Sequence, residues 1–216
     1  MARAICSRLS GERLPATAQH GAMQMAIDGT DVRALGIAQR RSHGLAFIPE
    51  ERLGRATVPG MALDWNLLLS RREPDWFSWG FLRRRRLAAL ARRLIERHQV
   101  RAAGPAALAV SLTGGNLQKY VVARELEPGP TVLLVSQPTW GVDVGAAARI
   151  HQALLDLRAA GAGILLVSED LDELFALCDA FHVMSAGRLS ARLAAEQAGI
   201  EQIGRLMGTI DDAVAA

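Results

Sequence analysis

An α/β fold, with a parallel sheet covered by helices and a helical subdomain inserted into it, is predicted from three features of the sequence. After residue 127, short apolar segments alternate with helical ones: 131–135, 146–159, 163–167, 170–177 and 180–184. The short segments are apolar throughout rather than at every second position, the pattern of strands buried on both faces of a parallel sheet. Between 62 and 126 apolar residues instead recur at helical spacing, as in Leu87, Leu90, Leu94 and Ile95, which predicts helices.

Taken in order, residues 1–9 form an amphipathic opening that runs into Ser10-Gly11-Glu12 and Pro15, signals of a helix end and a loop. The chain is thus expected to begin inside an element. Residues 23–27 are a predicted strand closed by the turn residues Asp28 and Gly29, and 44–48 a buried strand stopped by Pro49. Gly54, Pro59 and Gly60 mark a loop. The helical stretch is interrupted at 74–80, where Trp76 and Trp79 either form a partner surface or pack the subdomain. The sheet is expected to finish with a turn at 185–188 and a segment at 189–193, followed by a helix at 200–207 and a small acidic tail. The implied organisation is a core portion at 1–61, a helical subdomain at 62–126 and a second core portion at 127–216.

Composition removes several function classes. A chain of 216 residues that is 50% hydrophobic can bury one substantial core. Cys6 and Cys178 are far apart, without C-x-x-C spacing, which excludes a disulfide framework or zinc ribbon and fits a reducing compartment. The apolar stretches fall short of the roughly 20 residues of a membrane span, and the start lacks a secretory run, so a cytosolic chain is expected. The net charge is +3, and Lys119 is the sole lysine. Arg83, Arg84, Arg85, Arg86, Arg92 and Arg93 fall in a helical pattern without interleaved aromatics, so they read as a solvated face and no nucleic-acid partner is expected. His20, His43, His98, His151 and His182 form no i, i+4 metal pair. Asp170, Asp172 and Glu173 read as first-turn residues favoured by the helix dipole.

The most informative stretch is Leu112-Thr113-Gly114-Gly115-Asn116-Leu117-Gln118-Lys119, which places two glycines where a loop enters a helix. Free backbone N–H groups and the positive end of the helix dipole make such a point an anion site, and glycine lets a phosphate come close. A capped helix start looks the same. What adds weight is the following order: a helix, then an apolar strand, then Gln137-Pro138-Thr139-Trp140-Gly141-Val142-Asp143-Val144-Gly145.

This order resembles the ABC-transporter ATPases, in which a signature loop and helix precede the Walker B strand, a Glu-Pro-Thr and the D-loop. The wording is similar to the second nucleotide-binding half of simple-sugar and nucleoside importers. Phe47-Ile48-Pro49-Glu50-Glu51-Arg52-Leu53-Gly54-Arg55 with Val58-Pro59-Gly60 resembles the Q-loop region, with Glu50 where the glutamine would fall. The resemblance, over residues 23–208, implies a P-loop NTPase-like (RecA-like) core with an inserted ABC helical subdomain, incomplete at its amino end.

The departures from that pattern bear on function. A phosphate loop needs G-x-x-x-x-G-K-[ST], and Lys119 lies between Gln118 and Tyr120, so the chain holds no Walker A motif. It is expected to start just after the position of that motif. Ser136 stands where the resemblance puts the Walker B aspartate, Gln137 in place of the catalytic glutamate, and Glu169 in place of the switch histidine. A neutral amide cannot accept a proton from an attacking water at ordinary pH. Hydrolysis by this chain alone is therefore not expected.

What the resemblance implies is a binding half-site. Leu112, Thr113, Gly114, Gly115 and Asn116 would meet ATP held, with Mg2+, by a second ABC ATPase domain with an intact Walker A, while Asp143 of the D-loop touches that domain. The implied partners are that ATPase domain, an integral-membrane permease and, indirectly, an extracytoplasmic substrate-binding protein. The implied location is the inner face of the cell membrane. Two other readings stay open on the residues alone: a truncated product lacking a central strand, and a basic nucleic-acid-binding protein using the arginine helix.

Overall fold

The computed structural model describes residues 3–7, 25–71, 74–79, 81–185 and 187–208. The loop signals at Ser10, Gly11, Glu12 and Pro15, together with His20, Met23 and the acidic tail, lie outside the described residues. In chain order the strands are β1 (Arg3–Ser7), β2 (Ala26–Ile27), β3 (Thr30–Asp31), β4 (Leu45–Ile48), β5 (Phe77–Ser78), β6 (Phe81–Leu82), β7 (Val132–Ser136), β8 (Gly163–Ser168), β9 (Ala180–Ser185), β10 (Arg188–Leu189) and β11 (Leu193–Ala194). The helices are α1 (Ile37–Ser42), α2 (Leu63–Asn66), α3 (Arg84–Arg97), α4 (Gly114–Leu126), α5 (Val144–Ala159), α6 (Leu171–Leu177) and α7 (Ile200–Gly208). The chain divides into two units, one of residues 1–45, 131–137 and 154–216, the other of 46–130 and 138–153.

The first unit is built on a sheet in the order β10-β9-β1-β8-β7. β7 pairs with β8 in parallel, Leu133 opposite Ile164 and Val135 opposite Leu166. The opening of the chain is a strand, not the end of a helix. β1 lies between β8 and β9 and runs antiparallel to both, with Ala4 opposite Ser168 on one side and Val183 on the other. The cause is backbone pairing. β8 and β9 point the same way with one strand position between them, and an extended segment of either direction placed there satisfies the N–H and C=O groups on both facing edges. The sheet is therefore mixed: β10 and β11 also add to β9 in antiparallel fashion, Arg188 opposite Ser185 and Leu193 opposite Phe181.

Local chemistry sets the turns of this unit. Asp28 and Gly29 take positive φ (48° and 74°) between β2 and β3, as a two-residue Asp-Gly hairpin turn requires. Gly44 sits at φ +90° before β4, and a Cβ there would stand 2.5 Å from the Thr131 hydroxyl, so both conformation and space demand glycine. Asp170 caps α6 by accepting from the Glu173 amide (3.1 Å). The interior includes Leu133, Val135, Leu166, Leu174, Phe181, Val183 and Ile203, all buried, with Phe175 edge-on to Phe181 at 4.9 Å.

The second unit holds α2, α3 and α4 around a core of Leu63, Leu67, Trp76, Leu87, Leu94 and Tyr120. The arginine-rich helix α3 buries Leu87, Leu90, Ala91, Leu94 and Ile95, the face its sequence spacing predicts. The helical pattern is broken more than expected: residues 98–113 run as loop and one 3-10 turn, with Gln99 at φ 51° and Gly104 at φ 126°. Beneath α4 the Tyr120 hydroxyl donates to the Leu63 carbonyl. Arg124, only 2% exposed, donates to the Glu125 carboxylate (2.9 Å) and to the carbonyls of Asn66 (3.1 Å) and Ala56 (2.9 Å). A buried charge is tolerated because its donors are matched. Among the described residues no helix is long and apolar enough to cross a membrane.

Candidate functional site

Helix α4 starts where the sequence predicts. Thr113 is its extended N-cap (φ −65°, ψ 153°) and Gly114 its first helical residue, and no side chain caps the free amides. The Leu117 amide is the donor that reaches the Thr113 carbonyl (2.9 Å), so the amides of the first turn have no acceptor within the helix. The Thr113 hydroxyl instead accepts from Asn116 Nδ2 (2.9 Å), and Asn116 Oδ1 accepts from the Arg101 amide (2.9 Å). The loop is thus tied to the 98–113 segment and Leu112 is buried beneath it. What stays presented is backbone N–H at the positive end of a 13-residue helix, the chemistry of an anion cradle.

Two residues the sequence reading did not single out hold this loop in place. Arg52 Nε donates to Gln118 Oε1 (2.8 Å), and its guanidinium also donates to the Trp140 carbonyl. Gln118, 1% exposed, donates from its own Nε2 to the Pro138 carbonyl (2.7 Å). The segment after β4, the start of α4 and the segment 138–143 are therefore joined by one hydrogen-bonded chain within the second unit. Gly115 closes the same contact: a Cβ there would lie 2.9 Å from the Gly141 carbonyl oxygen. Only a side-chain-free residue lets these two backbones meet.

Asp143 is engaged within its own chain. Its Oδ1 accepts from the Ala146 amide (2.8 Å), which caps the start of α5, and Oδ2 stands 3.6 Å from Lys119 Nζ. The Ala146 hydrogen bond first, and the Lys119 charge second, hold its carboxyl below the ordinary value of 3.8. Lys119, the sole lysine of the chain, is thus an ion-pair partner in α4. Both side an open cleft of about 810 Å³ that Arg101, Asn116 and Arg149 also line.

In the first unit the structure brings Ser136, Gln137 and Glu169 to the carboxyl ends of adjacent parallel strands, since Ser136 is in register with Val167. Ligands of open α/β sheets bind at such strand ends. Gln137 is 7% exposed, takes φ 51°, and its amide donates to the Val167 carbonyl (2.8 Å). Its side-chain Nε2 is buried without a hydrogen-bond partner among the described residues. Ser168 Oγ accepts from the Asp170 amide (3.1 Å), and Glu169 is exposed. Glu50 lies in the second unit, half-buried, two residues after β4.

The residues present do not fit a resident magnesium ion. Mg2+ takes hard oxygen ligands, carboxylates foremost, whereas β7 ends in a hydroxyl and an amide. Among the described residues no group of three or more His, Cys, Asp or Glu could hold a metal.

No family model matches the chain. Curated relatives do. It is 33% identical over 180 residues to the ribose import ATP-binding protein RbsA 1 of Rubrobacter xylanophilus, covering 83% of this chain and 36% of that protein. It is 36% identical over 195 residues to the glucose import ATP-binding protein TsgD13 of Haloferax volcanii, 89% and 36% covered, and 37% identical over 164 residues to the nucleoside import ATP-binding protein NupA of Lactococcus lactis, 76% and 32% covered. Among solved structures, the ATP-binding subunit of an ABC transporter shares the fold with TM-score 0.58 at 20% identity, over 83% of this chain and 68% of that one. An ADP- and phosphate-bound dimeric ATP-binding cassette matches with TM-score 0.56 at 20% identity, over 78% and 72%. The chain spans about a third of the length of the curated relatives it matches, and with that span it belongs to the ABC-transporter ATP-binding family.

Proposed function

We propose that this chain supplies the signature-loop half of a composite ATP site in an importer of a sugar or nucleoside, and that it does not hydrolyse ATP by itself. The observation that carries the reading is the contrast between its two candidate centres. The head of α4 offers uncapped glycine amides, whereas the ends of β7 and β8 offer Ser136, Gln137 and Glu169 and no carboxylate on β7. The first can stabilise charge on a terminal phosphate; the second lacks both a metal ligand and a general base at the strand that should supply them.

On this reading a second ABC ATPase domain holds ATP and Mg2+ in its own phosphate loop, and Thr113, Gly114, Gly115 and Asn116 close over the γ-phosphate. Leu112 seats the loop in the helical subdomain. The Arg52–Gln118 chain keeps the loop in register with segment 138–143, so that phosphate contact is coupled to the D-loop. The ribose, glucose and nucleoside importers among the relatives point to a small hydrophilic cargo, a permease and an external binding protein as the remaining partners, with the ATPase pair at the inner membrane face. The test is a titration of the chain with a fluorescent ATP analogue and Mg2+. Alone it is expected to show no saturable binding; mixed with an importer ATPase domain carrying an intact Walker A, it should raise the affinity of that domain for ATP. Tight Mg2+-dependent binding by the chain alone contradicts the reading.

A further inference from the structure

The hairpin β5–β6 exposes aromatic surface that the fold does not use. Trp76 at its base is 3% exposed and belongs to the core of the second unit, and its carbonyl accepts from the Arg83 amide (2.7 Å), which closes the hairpin onto α3. Beyond that anchor two side chains turn outward: Trp79 is 98% exposed and Phe81 79%. Trp79 also sits at φ 52°, a conformation that bulky residues rarely adopt and that asparagine or glycine would take with less strain. A large aromatic residue held in a strained conformation, fully in solvent, gains nothing from its own chain. Phe81 shares the face of Ser78 and so lies on the side of the hairpin opposite Phe77; Trp79 and Phe81 are the exposed aromatic side chains at the tip, and exposed aromatic surface marks an interaction site.

The adjoining charge indicates the occupant. Residues 74–86 carry four arginines and a single acid, Asp75, and that acid already pairs with Arg86. Arg83 donates to the Ser78 hydroxyl (2.9 Å) and Arg84 lies over the Trp65 ring at 5.3 Å; no carboxylate pairs with Arg83, Arg84 or Arg85 among the described residues. Three guanidinium groups without a carboxylate partner among the described residues, beside outward aromatic rings, combine the two features that bind an anionic bilayer. Amphipathic rings settle at the boundary of headgroup and acyl chain, and arginine is attracted to the phosphates above it.

We propose that the β5–β6 tip and the first turn of α3 dock on an anionic lipid surface, Trp79 and Phe81 entering the interfacial layer and Arg83, Arg84 and Arg85 facing lipid phosphates. This attachment does not rest on the nucleotide reading and holds whether or not the chain completes an ATP site. The experiment is sedimentation of the full chain at low salt with vesicles of phosphatidylcholine alone or mixed with phosphatidylglycerol. Binding to the mixed vesicles is expected to be saturable, at least tenfold weaker with phosphatidylcholine alone, and at least tenfold weaker in a W79S/F81S variant whose circular dichroism is unchanged. Bromine-labelled lipid should quench part of the tryptophan emission of the wild-type chain and none of that part in W79F. An R84E/R85E variant should lose the preference for anionic vesicles. The proposal is overturned if anionic vesicles do not bind, if W79S/F81S binds as the wild type does, or if the patch is protected only by a solubilised permease and never by lipid.

Discussion

Gly115 and Gly141 meet backbone to backbone: a Cβ on Gly115 would stand 2.9 Å from the Gly141 carbonyl oxygen. The second glycine at the head of α4 is therefore required by the chain's own 138–143 segment. Gly114 differs, because the nearest atom to its Cβ position is the Arg52 guanidinium at 3.0 Å, a side chain that is hydrogen-bonded to Gln118 and Trp140 yet can give way more readily than backbone.

The two glycines are thus expected to respond differently to substitution. Gly115→Ala should destabilise the second unit by about 1–3 kcal/mol through overpacking against backbone, whereas Gly114→Asp should cost less, because only the Arg52 side chain has to give way and a carboxylate is favoured in a first helical turn. Thermal melts of the two variants check this. Equal losses would mean that the Gly115 contact has no special weight.

Gln118 is expected to be irreplaceable by an apolar residue of its size. Gln118→Leu leaves the Pro138 carbonyl and the Arg52 Nε proton without partners, at a cost of about 1–3 kcal/mol for buried groups. Urea unfolding should show the midpoint falling with an unchanged slope. Arg52→Ala should loosen the same contact while leaving the core of the second unit folded, detectable as faster amide exchange at segment 138–143.

Tyr120 provides a pH probe, since it is the only tyrosine. Burial, the largest effect, pushes its phenol above the ordinary value of 10.0. The folded value exceeds the unfolded one, so the stability this group contributes is complete below pH about 10 and is lost as pH rises beyond it. Phenolate absorbance should therefore stay flat past pH 10 and rise only with unfolding. A simple titration near 10 in the folded protein would contradict the buried hydroxyl.

For Asp143 the sign is opposite. Its carboxyl is held below the ordinary 3.8 by the Ala146 amide and then by Lys119, so its contribution is present above about pH 4 and fades as pH falls through the lowered value. Asp143→Ala should lower the melting temperature at pH 7 and make no difference once the wild-type carboxyl is protonated.

Much of the centre was legible because its signals are local. The start of α4 at Gly114, the apolar strands β7 and β8 and the Asp28-Gly29 turn each follow from a few adjacent residues, whereas Asp170, read as a first-turn residue, is the N-cap of α6. The misread parts depend on distant ones. Residues 3–7 read as helical by pattern and become a strand because β8 and β9, more than 150 positions away in sequence, leave an edge for them. Arg52 was visible in its motif, yet its partner Gln118 lies 66 positions on, and no periodicity announces such a pair. Segment 98–113 carries apolar residues that pack the helical core without being helical themselves, so hydrophobic spacing alone overextended the helices. Trp76 and Trp79, which the sequence left undivided between packing and a partner surface, differ in the structure: Trp76 is buried in the helical core and Trp79 is exposed.

The central claim, that the head of α4 serves a phosphate held by another domain, is tested most directly by Gly114→Asp. The variant chain is combined with an importer ATPase domain that carries an intact Walker A, and ATP turnover is compared with that supported by the wild-type chain. A variant that stays folded and lowers turnover at least a hundredfold is expected, because a fixed carboxylate then occupies the place of the γ-phosphate contact. Turnover equal to that with the wild-type chain would contradict it.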